Sequence, residues 1–269
     1  MDLAQFWQER YPSLFCLLEE LLRRIESLPE SERGKFWLCR VLQRLALFPG
    51  HFIAQVLSKL NNIAAELPKG AQDTSLLKSK FSRCVPDGAT LHREHYDSQL
   101  LDTFAEMMGY DYLRQEGYAA VHFLAEGKKP RPDLEASGGP RLKPVVMECK
   151  NLHNSDEQKD YLAHHEGEAR SVDYRLVSGD SAENPLLRKL RDMALRAADQ
   201  LCTYDPLQYR RILFLNYVLD IPVLLIEDQF PDSVDFLFRS VASELRQRQI
   251  ELVVIDRYGL GETEELCRA

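Results

Sequence analysis

The sequence has no two cysteines close enough for a metal knuckle or a redox motif. Cys16, Cys39, Cys84, Cys149, Cys202 and Cys267 are scattered, with no CxxC and no neighbouring Cys/His group. That spacing argues against both a structural zinc and a disulfide framework. No apolar run approaches the ~18 residues a membrane-spanning helix needs. The opening MDLAQFWQER lacks the basic and apolar regions of an export signal. A cytoplasmic protein with no membrane segment is therefore expected. Internal repeats and low-complexity tracts are missing too. So is an excess of positive charge: 34 Lys and Arg face 42 Asp and Glu, a net charge of -8. This excludes a generally basic coat for nucleic acid but leaves room for a local cationic groove.

What is present fits an ordinary globular protein: 269 residues, 45% hydrophobic and 28% charged, enough for one sizeable core and a smaller lobe. Residues 1–80 carry 11 Lys and Arg against 9 Asp and Glu, leaving 23 against 33 for the remainder, so the two parts differ in charge character. In the first part Pro12 opens an amphipathic helix with Leu14, Leu17, Leu18, Leu21, Leu22 and Ile25 on one face. Ser31 is the expected N-cap of a second helix through Trp37, Val41, Leu42 and Leu45, stopped by Pro49-Gly50. A third helix runs from Phe52 to about Pro68. Three such faces joined by short loops predict a helical N-terminal domain over residues 1–85, serving either as a recognition or oligomerisation lobe or simply as packing against the rest.

Residues 68–90, with Pro68, Gly70, Pro86 and Gly88, form the expected boundary. The second domain, 90–269, reads as α/β. A helix spans His92 to Gly109, with Leu100, Leu101, Phe104 and Met108 buried. Strands follow at Tyr118 to Leu124, around Asp133 and at Pro144 to Lys150. Residues 151–183 are polar and weakly periodic, an insertion or loop. A helix over Pro185 to Tyr204, a strand at Ile212 to Leu219, an apolar run at Pro222 to Ile226, a helix near Ser233 to Gln247 and a strand at Ile250 to Ile255 complete the pattern.

The chemistry concentrates between Lys128 and Leu152. Alternation along a strand puts Glu148 and Lys150 on one face, with Met147 and Cys149 on the other. A hairpin through Ser137-Gly138-Gly139-Pro140 would bring Asp133 to the same patch. Pro-Asp and Glu-x-Lys each occur three times in the chain. Only Glu148 is preceded by an apolar β-like run, however, and only Asp133 lies one hairpin upstream of it. Two carboxylates plus the Cys149 carbonyl suit Mg²⁺, which takes oxygen ligands and keeps waters. Lys128, Lys129, Arg131, Arg141 and Lys143 make a short cationic stretch able to meet phosphates, or else a solvated loop. Tyr112, Tyr118 and Tyr161 could stack on bases, and His153, His164 and His165 could touch substrate, though nothing singles them out.

In these elements residues 92–219 resemble the PD-(D/E)XK, restriction-endonuclease-like nucleases. Pro132-Asp133 matches the PD element and Glu148-Cys149-Lys150 the (D/E)XK element. The resemblance implies a core of helix, three-stranded meander, helix and strand. It also implies a Mg²⁺-dependent endonuclease, with Mn²⁺ as substitute, in which Asp133 and Glu148 hold the metal and Lys150 assists the attacking water. An acid from the first helix often joins the set. Asp97 is the leading candidate, with Glu94 and Glu106 as alternatives, and Gln200 resembles a glutamine sometimes found on the second helix. DNA is the expected substrate ahead of RNA, with a 5′-phosphate product and a role in defence against foreign DNA. A homo-oligomer or a regulatory protein partner acting through the helical domain is the expected restraint. The alternative is a catalytically inactive nuclease fold that binds protein or nucleic acid.

Overall fold

The structure is a computed structural model, and it describes residues 3–34, 36–47, 52–68, 71–84, 93–127, 130–139, 143–151, 185–204, 209–216, 239, 241–255 and 264–267. Six helices come first: α1 (Leu3–Arg10), α2 (Pro12–Glu26), α3 (Glu30–Arg33), α4 (Trp37–Leu47), α5 (Phe52–Glu66) and α6 (Gln72–Ser82). The long α7 (Arg93–Gln115) leads into β1 (Ala120–Phe123), β2 (Leu134–Ser137) and β3 (Val145–Asn151). Then follow α8 (Pro185–Tyr204), β4 (Arg210–Asn216), a helical segment at 241–247, β5 (Ile250–Ile255) and β6 (Glu264–Cys267).

Helix α2 starts at Pro12, whose fixed φ and missing N–H suit a first helical position. Its Leu14, Leu17, Leu18, Leu21, Leu22 and Ile25 are all buried, as their spacing predicts. Ser31 is not the cap of the Trp37 helix. It lies inside the one-turn α3, which Pro29 precedes, and the chain restarts as α4 at Trp37. The stretch 68–90 is not simply a boundary, because α6 occupies residues 72–82 of it. Its low apolar periodicity has a cause: Asp73 and Lys80 are buried alongside Leu77 and Phe81.

The six strands among the described residues form one sheet in the order β1-β2-β3-β4-β5-β6. β1, β2 and β3 pair antiparallel as a meander, β3, β4 and β5 run parallel, and β6 returns antiparallel to β5. Gly138 follows β2 with φ 82°, a left-handed conformation that favours glycine in the hairpin turn. One face of the sheet, with Val145, Met147, Cys149, Ile212, Phe214 and Val253, shares a continuous apolar core with α7 and the N-terminal helices. The other face, with Val146, Leu213, Leu215, Leu252 and Val254, is covered by Leu190, Ala194, Ala197 and Leu201 of α8 and by Val241 and Leu245. The result is a mixed α/β architecture in three layers.

Helix α7 does not stop at Gly109 but runs six residues further, to Gln115. Gly109 is mid-helix because β3 approaches it there. A Cβ at that position would sit 2.6 Å from Cys149 Sγ and 3.0 Å from Met147 Sδ. The strand expected at Ile212 to Leu219 begins two residues earlier, at Arg210. Arg210 binds Glu251 of β5 with two nitrogens, both at 2.7 Å. The segment 152–184 and the run at Pro222 to Ile226 lie outside the described residues.

Candidate metal centre

β3 supplies the centre of the site because its pattern is apolar up to Met147 and then turns polar on alternate residues. Glu148 and Lys150 share the sheet face that α8 covers, while Cys149 points to α7, buried among sulfurs. The thiol is held well above its usual range, first by burial and then by the charge of Asp133, so it is inert core rather than a nucleophile.

Asp133 sits one residue before β2, where the β2–β3 ladder ends at Leu134 opposite Met147. Its backbone is fixed twice: its N–H donates to the Met147 carbonyl at 3.0 Å, and its carbonyl accepts from Leu124 N–H at 2.8 Å. The Cys149 N–H donates to its Oδ2 at 2.8 Å. Some of the residue's surface remains accessible, yet burial of the carboxyl is the largest influence on it and raises its pKa. Lys150, Lys80 and the Cys149 N–H pull the other way.

Glu148 is fully enclosed. Gln200 of α8 donates to its Oε2 at 2.7 Å and also to the Arg131 carbonyl, tying helix, β3 and the segment before β2 together. Lys150 Nζ lies 2.5 Å from Oε1. That contact is one of charge without donor alignment, and Oε1 is a buried oxygen with no directional partner. Burial, followed by the charge of Asp133, pushes the Glu148 carboxyl up to about 8. The Lys150 ammonium stays charged because Glu148 and Asp133 outweigh its own burial.

The first-helix acids divide. Glu94 and Asp97 fall in the opening turns of α7, and their side chains lie outside the described residues. Glu106 is buried in the middle of that helix and is paired with Lys80 of α6 at 2.5 Å. Burial, then Asp133, pushes its carboxyl up to about 8. Two contributors escaped sequence reasoning. Asp102 lies one turn before Glu106, and its charge acts on Asp133, Glu106 and Lys150. Lys80 acts on Glu106, Asp133 and Glu148. The Asp102/Glu106 spacing was readable as one helix face. Lys80 carries no signal of its own, since Pro68, Gly70, Pro86 and Gly88 around α6 mark that stretch as a boundary.

Other candidates fare differently. Tyr112 and Tyr118 are core residues: Tyr112 packs on Phe214, and the Tyr118 hydroxyl donates to the Lys143 carbonyl. Neither can stack on a base. Arg131 and Lys143 are exposed, whereas Lys128, Lys129, Arg141, Tyr161, His153, His164 and His165 lie outside the described residues.

Among the described residues no group of three or more His, Cys, Asp or Glu side chains is arranged to hold a metal ion. Mg²⁺ asks for less, one or two carboxylates plus water and substrate oxygens. The pair Asp133 and Glu148 fits that requirement. Both are hard oxygen donors, one has a buried oxygen beside the Lys150 ammonium but without an aligned donor, and both are kept from ionising comfortably by burial, helped at Glu148 by the charge of Asp133 and at Asp133 by that of Asp102. A divalent cation would relieve all three conditions. No helix among the described residues is long and apolar enough to cross a membrane.

These features define a mixed α/β protein with a buried carboxylate and lysine centre at the junction of a meander and a parallel strand pair. No family model, curated protein or solved structure matches the chain.

Proposed function

We propose that the protein is a metal-dependent endonuclease that hydrolyses phosphodiester bonds, DNA in preference to RNA. The observation that carries this reading is the convergence of Asp133, Glu148 and Lys150, with Oε1 of Glu148 buried and lacking a directional partner. Among the described residues, the element order from α7 to β4, a helix, a three-stranded meander, a helix and a strand, is the order of the PD-(D/E)XK core that residues 132–133 and 148–150 resemble.

Asp133, Glu148 and the Cys149 carbonyl would hold Mg²⁺, or Mn²⁺ in its place. The bound ion supplies charge neutralisation at the phosphate and a lowered pKa for water. The protein's own part is positioning. Gln200 fixes Glu148, and the Cys149 N–H fixes Asp133, so the two carboxylates are set before substrate arrives. Lys150, with a side chain 34% exposed, can turn its remaining N–H donors to the attacking water and the phosphate oxygens, where charge grows. Exposed Arg131 and Lys143 can meet flanking phosphates. Water adds at phosphorus, the bond to the 3′ oxygen breaks, and a 5′-phosphate remains.

The test is cleavage of plasmid and linear DNA, with RNA oligonucleotides in parallel, by purified protein in Mg²⁺ or Mn²⁺. Asp133→Asn should abolish cleavage and Lys150→Ala should lower it by about 10²–10³-fold, both leaving the circular dichroism spectrum unchanged. Wild-type cleavage that persists in EDTA would sink the metal mechanism.

A further inference from the structure

With 42 acidic residues in the chain, carboxylates are plentiful partners for its arginines. Arg83 takes Glu126, Arg191 takes Glu244, Arg210 takes Glu251 and Arg248 takes Asp199. Two exposed arginines beside the candidate centre take none: among the described residues, the Arg131 and Arg196 guanidinium groups have neither a hydrogen bond nor an ion pair. For Arg196, partners stand within helical reach, since Asp192 lies four residues before it and Asp199 three after. Asp199 nevertheless turns to Arg248.

Both arginines are placed by Gln200, the residue that fixes Glu148. Gln200 donates to the Arg131 carbonyl as well as to Glu148 Oε2, which holds the Arg131 backbone at the rim of the centre. The Arg131 side chain lies along Gly127, where a Cβ would sit 3.3 Å from Nε and 3.6 Å from Cζ. Glycine leaves room for the guanidinium there, so the fork is set before a ligand arrives. On α8, Gln200 reaches Glu148 while Tyr204, one turn later, reaches Glu135, the β2 residue opposite Val146. The helix thus runs against β3. Arg196, one turn before Gln200 and on the adjoining part of the same helix face, therefore falls toward the Lys150 end of the strand.

We infer that Arg131 and Arg196 form a phosphate clamp, one arm from the segment before β2 and one from α8, that grips a nucleic-acid backbone on both sides of the phosphate presented to Lys150. A guanidinium fork matches two phosphate oxygens at once, which a lone ammonium does not. In a chain of net charge -8 the two arms supply the local attraction that the protein as a whole lacks. The substrate is then a polynucleotide carrying a phosphate on either side of the one attacked. The inference rests on the reading of Asp133, Glu148 and Lys150 as a phosphodiesterase centre and names what holds its substrate.

The experiment follows binding of a fluorescein-labelled DNA duplex to the full-length protein by anisotropy, in EDTA, between about 50 and 200 mM NaCl. Arg131→Gln and Arg196→Gln should each weaken binding and lower the slope of log affinity against log salt by about one, and the double variant by about two. Arg10→Gln removes an exposed arginine of α1 and should keep the wild-type slope. A double variant with the wild-type slope overturns the clamp, as does a wild type that binds no DNA. An equal loss from Arg10→Gln overturns it too, because total charge would then account for the effect. Cleavage of the same duplex in Mg²⁺ or Mn²⁺ is scored apart. Cleavage without the slope difference overturns the clamp alone, and the slope difference without cleavage overturns the phosphodiesterase reading alone.

Discussion

Two lysine–glutamate pairs sit at the same distance in this protein and in different surroundings. At the α6–α7 junction Lys80 and Glu106 are 2.5 Å apart, aligned as a hydrogen bond and sealed from solvent on both sides. On β3 Lys150 and Glu148 are also 2.5 Å apart, but without that alignment, with the ammonium partly open to solvent and a glutamate oxygen left without a directional partner. The sealed pair has its bonding capacity turned inward, as a structural tie does. The open pair keeps bonding capacity in reserve, which the proposed chemistry requires. Equal distances thus conceal different surroundings, which solvent access and alignment reveal.

The comparison predicts opposite responses to removing each ammonium, and the largest effect falls on the sealed pair. Lys80→Met strands a buried carboxylate and should cost about 3–5 kcal/mol of stability, read by urea unfolding. Adding Glu106→Gln should recover most of that loss. An unaltered unfolding midpoint for Lys80→Met would mean that the two pairs are equivalent. Lys150→Ala should do the reverse. Cleavage should fall by about 10²–10³-fold, or roughly 3–4 kcal/mol in barrier, as when a donor to a developing oxyanion is lost. Its unfolding midpoint should move by much less than that of Lys80→Met.

A third change separates the pairs through the backbone. Gly109→Ala places a Cβ 2.6 Å from Cys149 Sγ and 3.1 Å from Leu134 Cδ1. Overpacking of that kind costs about 1–3 kcal/mol, against up to ~1 kcal/mol returned by the better helix former. The pressure falls on β3 between Glu148 and Lys150, so turnover should drop along with thermal stability. Cys149→Ala in the same chain removes the obstructing sulfur and should restore both. Non-additivity between the two substitutions is the measurement, and strict additivity would show that α7 does not press on the open pair.

The same contrast explains what was legible in the sequence. β3 announces itself because Val145, Val146 and Met147 form an apolar run that ends in a polar alternation, so the faces of Glu148, Cys149 and Lys150 follow from period two alone. The frame of α7, meander, α8 and β4 was readable from periodicity and turn residues. The sealed pair was not. Burying Asp73 and Lys80 removes from α6 the apolar stripe that would mark a helix, and the flanking Pro68, Gly70, Pro86 and Gly88 suggest a linker. Gly109 likewise reads as a stop signal, whereas its lack of a side chain serves the approach of β3 to a continuous helix. In both cases a tertiary contact overrode a local signal, and the contact partner lay 26 or more residues away.

The smallest expected effect comes from a third pair, Arg83 with Glu126, which ties down the end of α6 but is more than half exposed on both sides. The hydrogen bond from Arg83, and then its charge, hold the Glu126 carboxyl below its usual range, with burial opposing them. A lowered folded pKa means that the contribution is present above the ordinary glutamate range and is lost as pH falls through the folded value. Exposure and salt limit it to a few tenths of a kcal/mol, so Arg83→Ala should shift the melting temperature only slightly at pH 7, and by still less at pH 3 or in high salt. Its value lies in what it isolates. Arg83→Ala loosens one tie of α6 while leaving the Lys80–Glu106 pair in place, so it should leave cleavage untouched. A fall in cleavage as large as that of Lys150→Ala would mean that the seating of α6 governs the open pair as well as the sealed one.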